Sequence, residues 1–220
     1  MLLLGAIYSL ILLESSLSFR PTVTKSSHRG FLGVKMSTDA PGTWESSLRS
    51  PCKLNLFLRI LGRRPSGFHD LASLFQAISF SDYMHFSRLP EDAVKDEMSC
   101  SDTTLAVDDS NLVIKALNLM RTKTGKQQYF KVFLDKRVPM QAGLGGGSGN
   151  AATAMHAFNT LCGYPGSLEE LRLWSGDIGS DITFFFSTGT AYCTGRGEIV
   201  TPLAALPEWQ DTKVHVFKPK

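Results

Sequence analysis

Apolar and polar residues alternate along "KLNLFLRIL", residues 53–61, and a period of two predicts a strand. In a regular strand Leu54, Leu56, Leu58 and Ile60 share one face and read as core, while Lys53, Asn55, Phe57 and Arg59 share the other. Lys53 and Asn55 then stand about 7 Å apart on one face. "YFKVFLDKRV", Tyr129 to Val138, alternates in the same way and is rich in aromatic and β-branched residues, which predicts another strand. The period then changes. Ala151, Met155, Phe158 and Cys162 recur at spacings of four, three and four, the single apolar face of a helix. "NLVIKALNLMRTKTG", residues 111–125, predicts a second helix, with Asp108, Asp109 and Ser110 as candidate N-caps and Gly125 at its end. Residues 89–110 are polar and acidic and suit a surface hairpin or loop. Strands and helices mixed with hairpin-like pairs argue for an α+β (mixed α/β) class.

Between the strand at 129–138 and the helix lies "PMQAGLGGGSGN", residues 139–150, with five glycines between Gly143 and Gly149. Each glycine costs roughly 0.5–1 kcal/mol relative to alanine in ordered structure, so something must require bare backbone there. Strand, glycine loop and helix together form an anion-binding arrangement, because the first helical N–H groups are unpaired and the dipole is positive at that end. Ser148 or Asn150 can cap the helix or touch the anion. The loop is neither of the two common nucleotide loops. A Walker loop ends in Gly-Lys-Ser/Thr, whereas Gly147 is followed by Ser148 and Gly149. The dinucleotide pattern needs a sixth-position glycine, where the present chain has Ser148 or Asn150.

The loop resembles a third kind, P-x-x-x-G-L-G-S/G-S/G, that of the GHMP kinases. Two more stretches resemble the same family. "SPCKLNLFLRILGRRPSGFHDLASLFQ", residues 50–76, is similar to the N-terminal signature of the branch acting on a cytidyl diphosphate sugar alcohol. "WSGDIGSDITFFFSTGTAYCTGRGE", residues 174–198, is similar to that branch's aspartate segment. The resemblance extends over roughly residues 49–220 and is nearest to the plastid form.

The resemblance implies a GHMP kinase N-terminal domain of the ribosomal protein S5 domain 2-like fold. It also implies a C-terminal ferredoxin-like domain that a chain ending in "VHVFKPK" lacks or only begins. The implied activity is ATP-dependent, Mg²⁺-assisted phosphorylation of a hydroxyl of the cytidyl alcohol, on a route to isoprenoids. ATP falls to Pro139, Met140, Gln141, Ala142, Gly143, Leu144, Gly145, Gly146, Gly147, Ser148 and Gly149. Asp181 takes the place of the general base, with Lys53 beside it and Asn55 in the site. Phe68 stacks on the cytosine and His69 hydrogen-bonds its edge, although His69 read alone is a surface histidine. Metal ligands stay unassigned. Gln141 stands where a smaller residue is usual, and Gly149 where a second serine is usual, which bears on one phosphate or metal contact. Two alternatives remain: a GHMP kinase for another small alcohol, and an inactive nucleotide-binding fragment that exposes "ITFFF" and "VHVF" for want of its second domain.

Composition adds limits. The chain has 220 residues and a net charge of +3, with no basic cluster interleaved with aromatics, so nucleic acid is not an expected partner. The four cysteines form no C-x-x-C pair, which argues against zinc and for reduced thiols. Residues 1–45 read as a targeting leader. An apolar run from Leu2 to Leu13, with Ser16 and Ser18 suited to cleavage before Phe19, fits a signal peptide of about 18 residues. A basic, Ser/Thr-rich stretch follows and fits a transit peptide over about 19–45. Such a bipartite presequence resembles that of plastid proteins delivered through the secretory route; plain secretion and a disordered N-terminus are the alternatives. Residues 46–220 remain as the N-terminal ATP-binding domain that the resemblance implies, truncated before the C-terminal one, with no membrane partner once the leader is removed and the oligomeric state open.

Overall fold

The structure is a computed structural model that describes residues 11–14, 43–63, 67, 69–207 and 212–217. Most of the expected leader lies outside the described residues, as do Arg64, Pro65, Ser66 and Phe68. The elements in chain order are β1 (Ile11–Glu14), β2 (Ser46–Arg63), β3 (His69–Arg88), β4 (Glu97–Cys100), α1 (Leu112–Thr124), β5 (Phe130–Asp135), α2 (Gly146–Leu161), α3 (Leu168–Ser175), a 3-10 turn (Thr183–Phe186), β6 (Thr190–Gly195), β7 (Ile199–Pro202) and β8 (Lys213–Val216). The class is mixed, as expected.

β2 and β3 form one long antiparallel hairpin. Along its other edge β3 is shared: its first half pairs with β6 and its second half with β5. β4 adds to β5 in parallel and β7 to β6 antiparallel. The 89–110 stretch is loop and turn apart from β4, which pairs in parallel, so it is the expected surface loop and not a hairpin. β1 and β8 form a separate two-stranded ladder.

The helices pack on one face of the sheet. Val113, Leu117 and Met120 of α1 and Ala151, Met155 and Phe158 of α2 are buried against Met84 and Phe86 of β3 and Val132 and Leu134 of β5. Asn111, not Asp108, Asp109 or Ser110, caps α1: its side chain accepts from the Val113 N–H. Asp108 instead closes the turn before it, accepting from the Ser110 N–H. Gly125 ends α1 with φ of 71°. α3 starts at a capping box, Ser167 with Glu170, that pattern-reading passed over.

Two expectations about the core are corrected. The 3-10 turn built from "ITFFF" is interior, with Ile182, Phe184, Phe185 and Phe186 all buried. β2 is not a uniform amphipathic strand: Leu54 is 3% exposed, but Leu58 is 56% and Ile60 57% exposed. Register shifts between Asn55 and Phe57 and again between Ile60 and Gly62 break the strict alternation.

Candidate active site

The glycine loop lies where β5 turns into α2. The helix begins inside the glycine run, at Gly146, with Gly145 as N-cap at φ of 65°. A residue with a Cβ pays for that left-handed conformation, and glycine does not. Loop side chains alternate in and out. Ala142 and Leu144 are buried in a small second core with Cys52, Leu54 and Val138, while Gly143 and Gly147 are exposed. Gln141 itself takes a left-handed φ of 55°, a conformation for which a smaller residue would suit better.

A cavity of about 390 Å³ opens on this loop. Residues 139–148 line it from one side, and Leu105, Ser110, Asn111 and Lys136 are among those that close it. Gly149, expected with the loop, is not in that lining. It is buried against β2, where a Cβ would collide with the carbonyl oxygen of Pro51. The second serine of the expected pattern would not fit here, so the glycine answers a packing demand rather than a phosphate. Asn150 does line the cavity, but its amide donates to Ser50 and Asp82, and neither it nor Ser148 caps the helix.

Lys53 reaches the loop from β2. Its backbone N–H donates to the Leu144 carbonyl at 2.8 Å. Its ammonium donates to the Gly143 carbonyl at 3.1 Å and to Asn55 Oδ1 at 2.7 Å, and pairs with Asp181 Oδ2 at 3.4 Å. The Phe75 ring lies 4.6 Å beneath it. Lys53 is 6% exposed and Asp181 33%, so the cation is enclosed and the carboxylate faces solvent. Asn55 is fixed in turn by donating to Ser73 Oγ at 2.9 Å. The lysine thus belongs to no solvated strand face. Asp181 stands in the turn before the 3-10 segment, and Gly197, in the β6–β7 turn, makes room for it: a Cβ there would meet Asp181 Oδ1 at 3.1 Å.

Two buried thiols flank this pair. Cys52 and Cys193 are both pushed up to about 12, mainly by burial, and for Cys193 the Asp181 charge adds to the effect. Both remain neutral thiols at pH 7, which removes them as nucleophiles. All four cysteines are unpaired.

Lys53, Asn55, Asp181 and the loop are brought together. His69 is not brought to them. It begins β3 opposite Arg63, eight residues from the Ala77 that faces Lys53, roughly 25 Å along the strand. Phe68 lies outside the described residues.

Pattern-reading missed Asp82, Lys136 and Ser50. Asp82 is fully buried and accepts from the Arg137 and Val138 N–H groups and from the Lys136 ammonium, each at 2.7 Å, and from the Asn150 amide at 2.9 Å. A signal was present. Asp82, Met84 and Phe86 share a parity in β3, and Phe130, Val132, Leu134 and Lys136 share one in and after β5. Two charged residues at core-facing positions are each other's natural partner.

Among the described residues no group of three or more His, Cys, Asp or Glu could hold a metal ion, and no helix is long and apolar enough to cross a membrane.

Residues 111–189 match the family described as GHMP kinases N terminal domain. The chloroplastic 4-diphosphocytidyl-2-C-methyl-D-erythritol kinase of Oryza sativa subsp. japonica is 59% identical over 159 residues, 72% of this chain and 39% of that protein. The Arabidopsis thaliana counterpart is 55% identical over 189 residues, 86% of this chain and 49% of its own length. A crystal structure of 4-(cytidine 5'-diphospho)-2C-methyl-D-erythritol kinase superposes with a TM-score of 0.59 at 30% identity, covering 72% of this chain and 55% of that one. The chain spans about half the length of the curated relatives it matches. A loop, helix and aspartate segment arranged as above, inside a family match and at such identities, lead to one conclusion: the chain belongs to the GHMP kinase family.

Proposed function

We propose that these residues form the nucleotide-binding and catalytic half of an ATP-dependent kinase. Its acceptor is the 2-hydroxyl of 4-diphosphocytidyl-2-C-methyl-D-erythritol, in the methylerythritol phosphate route to isoprenoids. The observation that carries the reading is Lys53, held between the Gly143 carbonyl and the Asp181 carboxylate.

The loop and the first turn of α2 offer unpaired N–H groups and a positive dipole end to a triphosphate. Asp181, open to solvent, receives the acceptor's proton late, as a metaphosphate-like transition state forms. Lys53 fixes the orientation of Asp181 and lends positive charge to the developing alkoxide. Asn55 holds Lys53 in place. Mg²⁺ takes most of its ligands from phosphates and water and only one or two from protein. The Ser148 hydroxyl and the Asp181 carboxylate are of the right chemistry to supply them, and Mg²⁺ would offset phosphate charge. Phe68 and His69 would read the cytosine of an elongated substrate.

The test is acceptor choice. Incubated with labelled ATP and a mixture of the cytidyl alcohol, mevalonate and homoserine, the enzyme should label the cytidyl compound alone. Label in mevalonate or homoserine would sink the substrate reading. Phe68→Ala should weaken the cytidyl substrate by about 1–3 kcal/mol and leave ATP affinity unchanged.

The same proposal extends to location. Chloroplastic relatives support a plastid destination. A reporter fused to residues 1–45 should reach a plastid by the secretory route, and Phe19→Ala should divert it; secretion of the unmutated fusion would refute this.

A further inference from the structure

Asp82 has no place in the chemistry just described, yet the chain buries it completely. Burying an ion pair is seldom the most stabilising choice, since apolar residues of similar volume often do as well or better. Its position is therefore the informative fact. Two donors to Asp82, the N–H groups of Arg137 and Val138, mark the entry of the glycine loop. Another, Asn150, stands on α2 at the loop's exit. The Asn150 amide also donates to Ser50 Oγ at 2.8 Å, three residues before Lys53 on β2. The fourth donor, Lys136, bonds the Val138 carbonyl as well and lines the cavity.

We propose that Asp82 is a positioning residue: its carboxylate clamps both ends of the glycine loop and, through Asn150 and Ser50, ties them to the strand that carries Lys53. The inference rests on the kinase reading above. A glycine-rich loop left free would have to lose its conformational entropy when the nucleotide binds. Clamping the two ends during folding removes part of that cost from binding, as preorganisation does in general. The same clamp sets the spacing between loop-bound phosphates and the Lys53–Asp181 pair.

An electrostatic role predicts the opposite sign. If Asp82 only neutralised Lys136, removing its charge would leave the cavity more positive and a triphosphate would bind more tightly. If it is a clamp, cutting it weakens binding.

The experiment is calorimetric titration of Mg-ATP into the chain and its variants, with hydrogen exchange of the loop amides followed in parallel. Asp82→Asn should weaken ATP by about tenfold or more, the scale of one charge-assisted hydrogen bond. Exchange at residues 140–148 should accelerate while α1 and β5 keep their protection. The exchanged pair Asp82→Asn/Asn150→Asp should regain most of the affinity. Asn150→Ala, which leaves Asp82 three donors, should weaken ATP by about three- to tenfold. An Asp82→Asn protein that unfolds cooperatively and binds ATP as well as the parent, or more tightly, overturns the clamp. If Asp82→Asn does not fold, unchanged affinity in Asn150→Ala overturns it. A parent chain that does not bind ATP at all defeats the kinase reading, and the clamp with it.

Discussion

The two halves of β2 read alike and behave differently. From Ser46 to Leu54 the strand is buried beneath α2, carries Lys53 and meets the loop. From Phe57 to Arg63 it is exposed, although Phe57, Leu58, Ile60 and Leu61 are as apolar as anything upstream. Alternation thus establishes that a strand has a potential core face but not that anything covers it. Cover depends on which helix lies opposite, and the close approach of α2 at Gly149 provides it for the first half only.

The sharpest way to break this contrast is catalytic. Lys53→Met and Asp181→Asn should each lower turnover by about 10²–10⁴, the scale of a positioned acid–base group. Arg59→Met, on the exposed half, should leave initial rates within about threefold, since isolated surface changes are usually small. Equal losses at Arg59 and Lys53 would erase the distinction. Next in size is packing. Leu54→Ala should cost about 2–5 kcal/mol in chemical denaturation. Leu58→Ala should fall within about 0.5 kcal/mol.

Glycines offer a finer version. Gly149→Ala forces a methyl group onto the Pro51 carbonyl and should cost about 1–3 kcal/mol, the range for overpacking. Gly62→Ala meets nothing within 4 Å and should change stability by no more than about 0.5 kcal/mol. Equal melting temperatures for the two variants would contradict the close helix–strand contact.

The buried thiols add a pH signature. The folded-state value of Cys52, about 12, lies above that of a free thiol. A raised folded value means the thiol's contribution is intact below about pH 8.5 and is lost as pH rises towards 12, because the unfolded chain ionises first. Cys193 acts in the same direction. Stability should therefore be flat to about pH 8.5 and then decline. At pH 8 a thiol reagent should modify the half-buried Cys100 and Cys162 well before Cys52 and Cys193.

Much of this was legible in the sequence. The strand at 129–138, both main helices and the glycine loop all follow from period and turn chemistry, and the pairing of Lys53 with Asn55 followed from strand parity. What escaped was long-range. The burial of "ITFFF" depends on Phe75 and α2, which no local window contains. The register shift after Asn55 is a property of β2 against β3, not of β2 alone. Lys136 and Asp82, 54 residues apart, become partners only once β3 and β5 are known to pair and their parities are set against their apolar neighbours. α3, by contrast, is local and legible, since Ser167 and Glu170 spell a capping box.

The clamp also bears on the order in which the chain assembles. The β2–β3 hairpin joins neighbours in sequence and closes at little entropic cost, so it belongs to the early events. Asp82 must wait for partners 54 to 68 residues further along the chain. During synthesis, which proceeds from the N-terminus, the carboxylate emerges well before Lys136 and Asn150 exist. Until they arrive it is an uncompensated charge at a core-facing position, and the second half of β3 cannot be sealed without them. The glycine loop therefore takes its shape only after α2 has emerged, while the core still awaits Phe184, Phe185 and Ala191 further along the chain.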